Sequence, residues 1–201
     1  MRVTTETKRA TRHRLLESAA AEFARAGLQR ASVDEISLAA GLAKGTVYNY
    51  FGSKEELFLA VVEEACARAA DGGAPVEAST RERLLATLRA FVGWAREHEA
   101  FARVLVRECL MGTPELYPRV IAAEAPYVDE LTAILTVGAG RGEVRRDTPA
   151  EALALALAGL ADLALVRCWA SGASTPRLDE IPELVVSLFL DGAGPRTAPG
   201  P

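Results

Sequence analysis

Signals for the beginnings and ends of helices recur along the whole chain and constrain its fold more than any other feature. A Ser or Thr is followed three residues later by Glu at 32–35, 53–56 and 148–151, a pattern that caps a helix N-terminus. Ala, Leu, Glu and Arg dominate between these signals, and no segment shows a sustained alternation of β-branched residues. We therefore predict an all-α fold.

The same signals place the individual helices and the turns between them. We expect helices at about 7–26, 32–40, 44–51, 53–70, 80–98, 101–111, 114–137, 149–172 and 179–191. Pro118 and Pro126 should bend or interrupt the seventh helix, and the glycine-rich segment 138–147 should be a loop. Gly41 lies where the chain must leave the second helix in a left-handed conformation. The second and third helices then form a helix-turn-helix.

The short third helix carries more polar and aromatic groups than a core helix needs. Val47 and Phe51, four residues apart, form its apolar stripe and should pack with Ile36, Ala39 and Leu42 against the first helix. Its other faces remain outside, where they can enter the major groove of DNA. For either tyrosine of this segment alone, the alternative is a half-buried place in an ordinary three-helix packing.

The residue types on the outer faces suit different parts of DNA. Tyrosine hydroxyls and lysines reach phosphates, Thr and Asn reach base edges, and a glycine lets the backbone approach closely. A capping Ser also places backbone N–H groups near a phosphate. We predict that DNA is contacted by Ser32, Ala43, Lys44, Gly45, Thr46, Tyr48, Asn49, Tyr50 and Lys54.

Charge is distributed unevenly between the two parts of the chain. Residues 1–55 carry a net charge of +3, and the remainder carries −7. A basic segment joined to a larger acidic one is typical of a nucleic-acid-binding head on a body with another purpose. We predict a helix-turn-helix DNA-binding domain at 1–53 and a larger ligand-binding and dimerisation domain at 54–192. The helix at 54–70 connects the two domains, and 193–201 form a disordered tail.

Residues 10–58 resemble the DNA-binding domain of the TetR/AcrR family of bacterial regulators. The resemblance is carried by Leu15, Leu16, Ala19, Ala20, Phe23, Gly27, Ser32, Val33, Ile36, Ala39, Ala40, Gly41, Lys44, Gly45, Thr46, Val47, Tyr48, Tyr50, Phe51, Ser53, Lys54, Glu55 and Leu57. It implies nine helices, a homodimer through helices 8 and 9, a palindromic double-stranded operator and a small-molecule effector. Most members repress transcription until the effector releases them.

Two residues depart from the pattern of that family. Ala43 stands where the family often has Ser or Thr, which removes a capping side chain worth about 1 kcal/mol. Asn49 stands where the family often has an aromatic residue or His, and Asn can pair with adenine through two hydrogen bonds. The operator is therefore expected to differ from those of other members.

The eighth helix is apolar nearly all round, which predicts burial on two sides. A two-fold interface with the ninth helix accounts for this, and a buried central helix in a monomer is the alternative. The predicted interface residues are Leu153, Leu157, Leu160, Leu184, Val185, Leu188 and Phe189.

Helices 5 to 8 carry large side chains that can line an effector pocket, although side chains of this kind more often belong to plain core. Asp162 needs a partner on its apolar helix, either Arg103, Arg107 or Arg167, or a cationic or hydroxylated ligand. The candidate pocket residues are Trp94, Phe101, Leu105, Cys109, Met111, Tyr117, Tyr127, Asp162 and Trp169.

The composition argues against several other classes of protein. The only histidines are His13 and His98, and no nucleophile–base pair, phosphate-binding loop or metal-ligand cluster is present in the sequence, so we expect no enzyme, metal or cofactor. The three cysteines form no C-x-x-C pattern, which indicates reduced thiols in a cytoplasmic protein. The apolar run 152–166 is expected to be too short for a membrane span. A DNA-binding protein that acts without a small-molecule effector remains an alternative to the ligand-controlled regulator.

Overall fold

The computed structural model describes residues 5–69, 77–112, 114–171 and 177–192, and these residues form helices without any β-strand. Their order is α1 (Thr5–Arg30), α2 (Val33–Ala39), α3 (Lys44–Phe51), α4 (Lys54–Ala69), α5 (Thr80–Glu97), α6 (Glu99–Met111), α7 (Tyr117–Arg141), α8 (Ala150–Ser171), a 3₁₀ turn (Leu178–Glu180) and α9 (Ile181–Asp191). The all-α prediction is confirmed, with nine α-helices in the described part of the chain.

The described residues divide into two compact units. The first contains those up to Arg68 together with Glu97–Glu124, and the second contains Ala69–Arg96 together with those from Ala125 onward. The helices α4 and α6 therefore belong with the helix-turn-helix in one unit. The domain boundary at residue 53 stays a prediction, and the tail 193–201 lies outside the described residues.

The first unit is built around the apolar face of α1. Leu15, Leu16, Ala19, Ala20 and Phe23 of that face are fully buried. The ring of Phe23 meets that of Phe58 on α4 edge to face, with the centroids 5.0 Å apart. Edge-to-face pairs of this kind add to the stability that area burial supplies.

Two glycines set the chain directions around α2. Gly27 has φ 74°, so regular helix ends there, and one further turn of helix leads to Arg30. Gly41 has φ 65°, the left-handed conformation that the sequence predicts for the turn before α3. Ala40 is buried and Ala39 is exposed, so the prediction that Ala39 packs inward is wrong by one position.

The glycine-rich segment after residue 137 differs from its prediction as a loop. The helix α7 continues through Gly138 and Gly140 to Arg141. A Cβ at Gly138 would lie 2.3 Å from Oγ1 of Thr80, so this glycine permits close packing of α7 on α5. The guanidinium of Arg146 donates to the carbonyls of Ala139 and Gly140 and so caps the end of α7.

The beginning and middle of α7 also differ from the sequence prediction. The helix begins at Tyr117 instead of Pro114. Pro118 lies in the first turn, where a missing N–H costs no helical hydrogen bond. Pro126 lies inside the helix without interrupting it.

Helix α8 is the only described helix that is long and apolar enough to cross a membrane, by length and composition alone. The qualifying stretch covers 21 residues, Ala150–Ala170, so the expectation that this segment is too short is wrong. A core helix of a globular protein passes the same test, and one third of the stretch is buried within the chain.

Candidate nucleic-acid interface and partner surfaces

The recognition surface is formed by α3 and the residue before it. Val47 is buried and fixes the orientation of α3, while Ala43, Lys44, Gly45, Tyr48 and Asn49 are exposed together. Thr46, Tyr50, Ser32 and Lys54 are half-buried. The structure thus makes the polar faces of α3 available to solvent, and their contacts with DNA stay a prediction.

The N-terminal end of α3 has no capping side chain. The residue before it, Ala43, has extended backbone and makes no side-chain hydrogen bond, and only its carbonyl accepts from the N–H of Thr46 at 2.8 Å. No added Cβ at Gly45 would meet another atom within 4 Å. The backbone at this end of the helix is therefore open to a large ligand.

The N-terminal end of α2 is capped by two different residues. The hydroxyl of Ser32 accepts from the N–H of Glu35 at 3.4 Å, as the sequence pattern predicts. The N–H of Ser32 donates to Glu22 of α1 at 3.1 Å, while the carboxylate of Glu35 pairs with Arg25 at 3.0 Å. Glu22 therefore occupies the N–H of Ser32 itself, and the predicted approach of a phosphate to the start of α2 stays a prediction.

Both lysines of the predicted interface are bound to other groups of the protein. Nζ of Lys44 lies 3.0 Å from each carboxylate oxygen of Asp34 on α2. This hydrogen-bonded ion pair raises the pKa of Lys44. Nζ of Lys54 donates to the carbonyl of Gln29 at 3.1 Å and to that of Ala31 at 3.4 Å. Lys54 therefore joins the start of α4 to the end of α1, a structural role that the sequence pattern does not reveal.

The predicted pocket residues of the first unit form two groups. Met111 and Tyr117 are exposed and line an open surface cleft of about 410 Å³ together with Leu110, Gly112 and Pro114. Phe101 and Leu105 are buried in the core. Cys109 hydrogen-bonds to Glu124, and burial raises the pKa of Glu124 despite that bond.

Of the four predicted pocket residues of the second unit, Tyr127 and Asp162 are buried and the two tryptophans are half-buried. The ring of Phe91 stacks on Trp94 at 5.8 Å and lies 5.4 Å from Tyr127. Asp162 is buried on α8, and Trp169 is half-buried. Two of the proposed partners of Asp162 form other ion pairs, because Arg103 binds Glu99 and Arg107 binds Glu108. The role of Asp162 in an effector site stays a prediction.

An apolar stripe on α8 and α9 is open to solvent. Leu160 and Leu163 of α8 are three residues apart and share one face, and Leu184 and Leu188 of α9 are four residues apart. Leu155 of α8 is also exposed, to one side of the face that carries Leu160.

The buried face of the same helices corrects the predicted dimer interface. Leu157 and Val185 are 0% and 3% exposed, so they belong to the core of the chain and have no surface to offer a partner. Leu153 and Phe189 are half-buried and line a cavity of about 300 Å³ at the ends of α8 and α9. The prediction missed the exposed Leu163, whose spacing of three residues from Leu160 places it on the same face, and the exposed Leu155.

The two parts of the chain match sequence profiles of one family. Residues 15–61 match the bacterial regulatory proteins of the tetR family, and residues 77–192 match the tetracyclin repressor-like C-terminal domain. The chain belongs to the TetR family. A TetR-family chain is a transcriptional regulator with a DNA-binding helix-turn-helix, and it is not an enzyme.

Individual relatives agree with that assignment. This TetR-family chain is 30% identical over 176 residues to the HTH-type transcriptional repressor AcnR of Corynebacterium efficiens, covering 87% of the chain and 90% of the relative. The TetR-family regulator PfmR of Thermus thermophilus superposes with a TM-score of 0.72 at 26% identity, covering 90% of this chain and 99% of PfmR. Bacillus subtilis FadR, solved in complex with stearoyl-CoA, shares the fold with a TM-score of 0.76 at 21% identity, with 90% and 99% of the two chains covered.

Proposed function

We propose that the chain is a homodimeric repressor that binds a palindromic operator and releases it when a small molecule binds its C-terminal domain. Two recognition helices about 34 Å apart would enter successive major grooves of such a site. The observation that carries the proposal is the pair of exposed surfaces, polar on α3 and apolar on α8 and α9. The repressors among its relatives support the direction of the regulation.

Within the recognition surface we assign separate tasks to the side chains. Asn49 and Thr46 read base edges, and Tyr48, Tyr50 and Lys44 bind phosphates. Gly45 brings the backbone close to the DNA, and Ala43 leaves the end of α3 uncrowded. Lys54 acts mainly by holding α4 to the end of α1, because its ammonium group already binds two carbonyl oxygens.

Release requires that effector binding changes how the two heads are held. We propose that it shifts α4 through α5, α6 and α7. Contacts within the first unit support a connection of this kind. Arg119 of α7 lies 2.9 Å from Glu56 and 3.6 Å from Glu63 on α4, and Arg107 of α6 donates to the carbonyl of Phe23 on α1 at 3.0 Å. A movement of α6 would therefore act on α1, and a movement of α7 would act on α4. These are the two helices that flank the recognition surface.

The effector is expected to be largely apolar with one polar end. The open surface cleft beside Met111 and Tyr117, about 410 Å³, has a volume within the range of ligand sites, which starts at roughly 300 Å³. The stearoyl-CoA complex of FadR makes acyl-CoA thioesters the first compounds to test. Dissociation of the DNA complex by one member of such a panel would identify the effector class.

The proposal is tested by selecting genomic DNA fragments with the purified protein at about 0.15 M salt. We expect a palindromic sequence to be enriched and the enrichment to disappear with Tyr48→Ala/Lys44→Ala. Leu38→Ala, an exposed position on α2, serves as the matched surface control. Enrichment that survives in the double variant, or binding without any preferred sequence, would contradict the assignment of α3 as the reading helix.

A further inference from the structure

The ion pair between Asp34 and Lys44 joins the first turns of the two helices of the helix-turn-helix. Asp34 is the second residue of α2, and Lys44 is the first residue of α3. Both carboxylate oxygens lie 3.0 Å from Nζ. The side chains are 68% and 51% exposed, so solvent and DNA can both reach the pair.

A carboxylate and a phosphate compete for the same ammonium group. Lysine offers three N–H donors and one positive charge. A carboxylate that binds with both oxygens occupies donors and offsets much of the positive charge. A phosphate that approaches Lys44 meets the negative charge of Asp34 at hydrogen-bonding distance from the same nitrogen. Exposed ion pairs are individually weak, so DNA can displace Asp34, but the displacement lowers the net gain from the new contact.

We propose that Asp34 is an affinity-setting residue that competes with DNA phosphate for Lys44 and weakens binding to all sequences alike. This inference rests on the proposed function, because it assumes that α3 meets DNA. The paired Lys44 contributes less to the displacement of counterions from DNA than an unpaired lysine does. Asp34 thereby reduces the sequence-independent part of the affinity and leaves base reading by Asn49 unchanged.

The same helix turn contains a matched control for Asp34. Glu35 is also exposed and acidic, but its carboxylate binds Arg25 of α1 at 3.0 Å. Both acids lie in the first turn of α2, where a negative charge stabilises the helix end. Any effect through the helix dipole or through the overall charge of the head should therefore appear in both Asp34→Asn and Glu35→Gln.

The test compares Asp34→Asn, Glu35→Gln, Lys44→Ala and Asp34→Asn/Lys44→Ala by fluorescence anisotropy. The DNA is the fragment enriched by the wild-type protein and a scrambled duplex of the same length. We expect Asp34→Asn to tighten binding to both duplexes by roughly three- to tenfold at about 50 mM salt. The slope of the logarithm of the binding constant against the logarithm of the salt concentration should steepen by about 0.9 for each Lys44 that gains a phosphate. Glu35→Gln should leave the affinity and the salt slope near wild type. In the Lys44→Ala background Asp34→Asn should have no further effect.

Each contrary outcome has a separate meaning. Tightening by Asp34→Asn that persists without Lys44 would show a long-range charge effect and overturn the competition. Unchanged binding by Asp34→Asn, with Lys44→Ala still weakening both duplexes, would overturn the inference and leave the proposed function intact. A wild-type protein that binds neither duplex would overturn the proposed function, and the inference with it. Thermal unfolding of each variant, followed by circular dichroism, verifies that all four proteins are folded at the temperature of the assay.

Discussion

The recognition helix and the pair α8 and α9 expose opposite kinds of surface after burying the same kind of core. On α3 a buried Val47 leaves Lys44, Tyr48 and Asn49 outside, whereas on α8 a buried Leu157 leaves leucines outside. A polar surface suits a hydrated, polar partner, and an apolar stripe is stabilised only when another apolar surface covers it. The difference supports the proposal that the first surface binds DNA and the second a further copy of the chain.

The largest effect is expected from a charge placed on the apolar stripe. Leu163→Glu should dissociate the dimer, because it removes a leucine worth about 1.5–3 kcal/mol from each side of the interface and buries a carboxylate there. We expect the dimer dissociation constant to rise more than 100-fold, at a cost of about 3 kcal/mol or more. Light scattering after size exclusion measures the mass, and operator binding should weaken with it.

The matched control for this experiment is Ile121→Glu on α7. Ile121 is 48% exposed and Leu163 is 51% exposed, so the two substitutions place the same charge at similarly exposed apolar sites. Only the substitution on α8 should change the mass. If both variants remain dimers, the stripe on α8 and α9 is not the dimer interface. The assignment of the apolar surface to a second copy of the chain would then be wrong.

The next largest effect is expected from Asn49→Ala on the recognition surface. A side chain that pairs with a base edge contributes about 1–3 kcal/mol of discrimination at one position of the site. We expect weaker binding to the enriched sequence, little change on scrambled DNA and a relaxed preference at one base pair of each half-site. Repeating the selection with the variant measures this directly. Equal weakening on every sequence would assign Asn49 to the phosphate backbone instead.

A smaller effect, on stability more than on recognition, is expected from Lys54→Ala. The two hydrogen bonds to carbonyls at the end of α1 should be lost, at a cost of about 1–2 kcal/mol in the free energy of unfolding. Lys44→Ala, which removes an exposed ion pair, should change stability much less than Lys54→Ala does. Urea unfolding of the two variants distinguishes a lysine that holds the head together from one that binds DNA. Equal stability losses would remove that distinction.

The local features of the fold were predictable because their causes lie within a few residues. The left-handed turn at Gly41, the hydroxyl cap of Ser32 and the buried stripe of Val47 follow from their own sequence neighbours. The cap at the beginning of α5, formed mutually by Ser79 and Glu82, has the same Ser-x-x-Glu spacing and was available to the same reasoning.

The features that the sequence pattern did not predict have causes far away in the chain. Helical Gly138 lies where Thr80 of α5 leaves no room for a side chain, and Glu22 caps α2 from another helix. Lys54 binds carbonyls of Gln29 and Ala31, which are distant in sequence, so its role could be found only from the folded geometry. On α8 the apolar composition is the same on both faces, and composition alone could not separate the buried Leu157 from the exposed Leu163.

The smallest effect is expected at Glu124, a half-buried carboxyl on neither of the two surfaces. Burial raises the pKa of Glu124 above its ordinary value of 4.5, so the folded state binds its proton more tightly than the unfolded state does. The charged form therefore destabilises the fold at neutral pH, and this penalty disappears as the pH falls through the folded pKa toward 4.5. We expect Glu124→Gln to be more stable than wild type at pH 8 by less than about 1 kcal/mol, and the gain to shrink on acidification. Thermal unfolding between about pH 5 and pH 8, with the exposed Glu115→Gln as control, tests this across the relevant range. A gain in stability that did not change with pH would show that ionisation of Glu124 is not its cause. A change in dimer mass or DNA affinity would instead show that α7 contributes to one of the two partner surfaces.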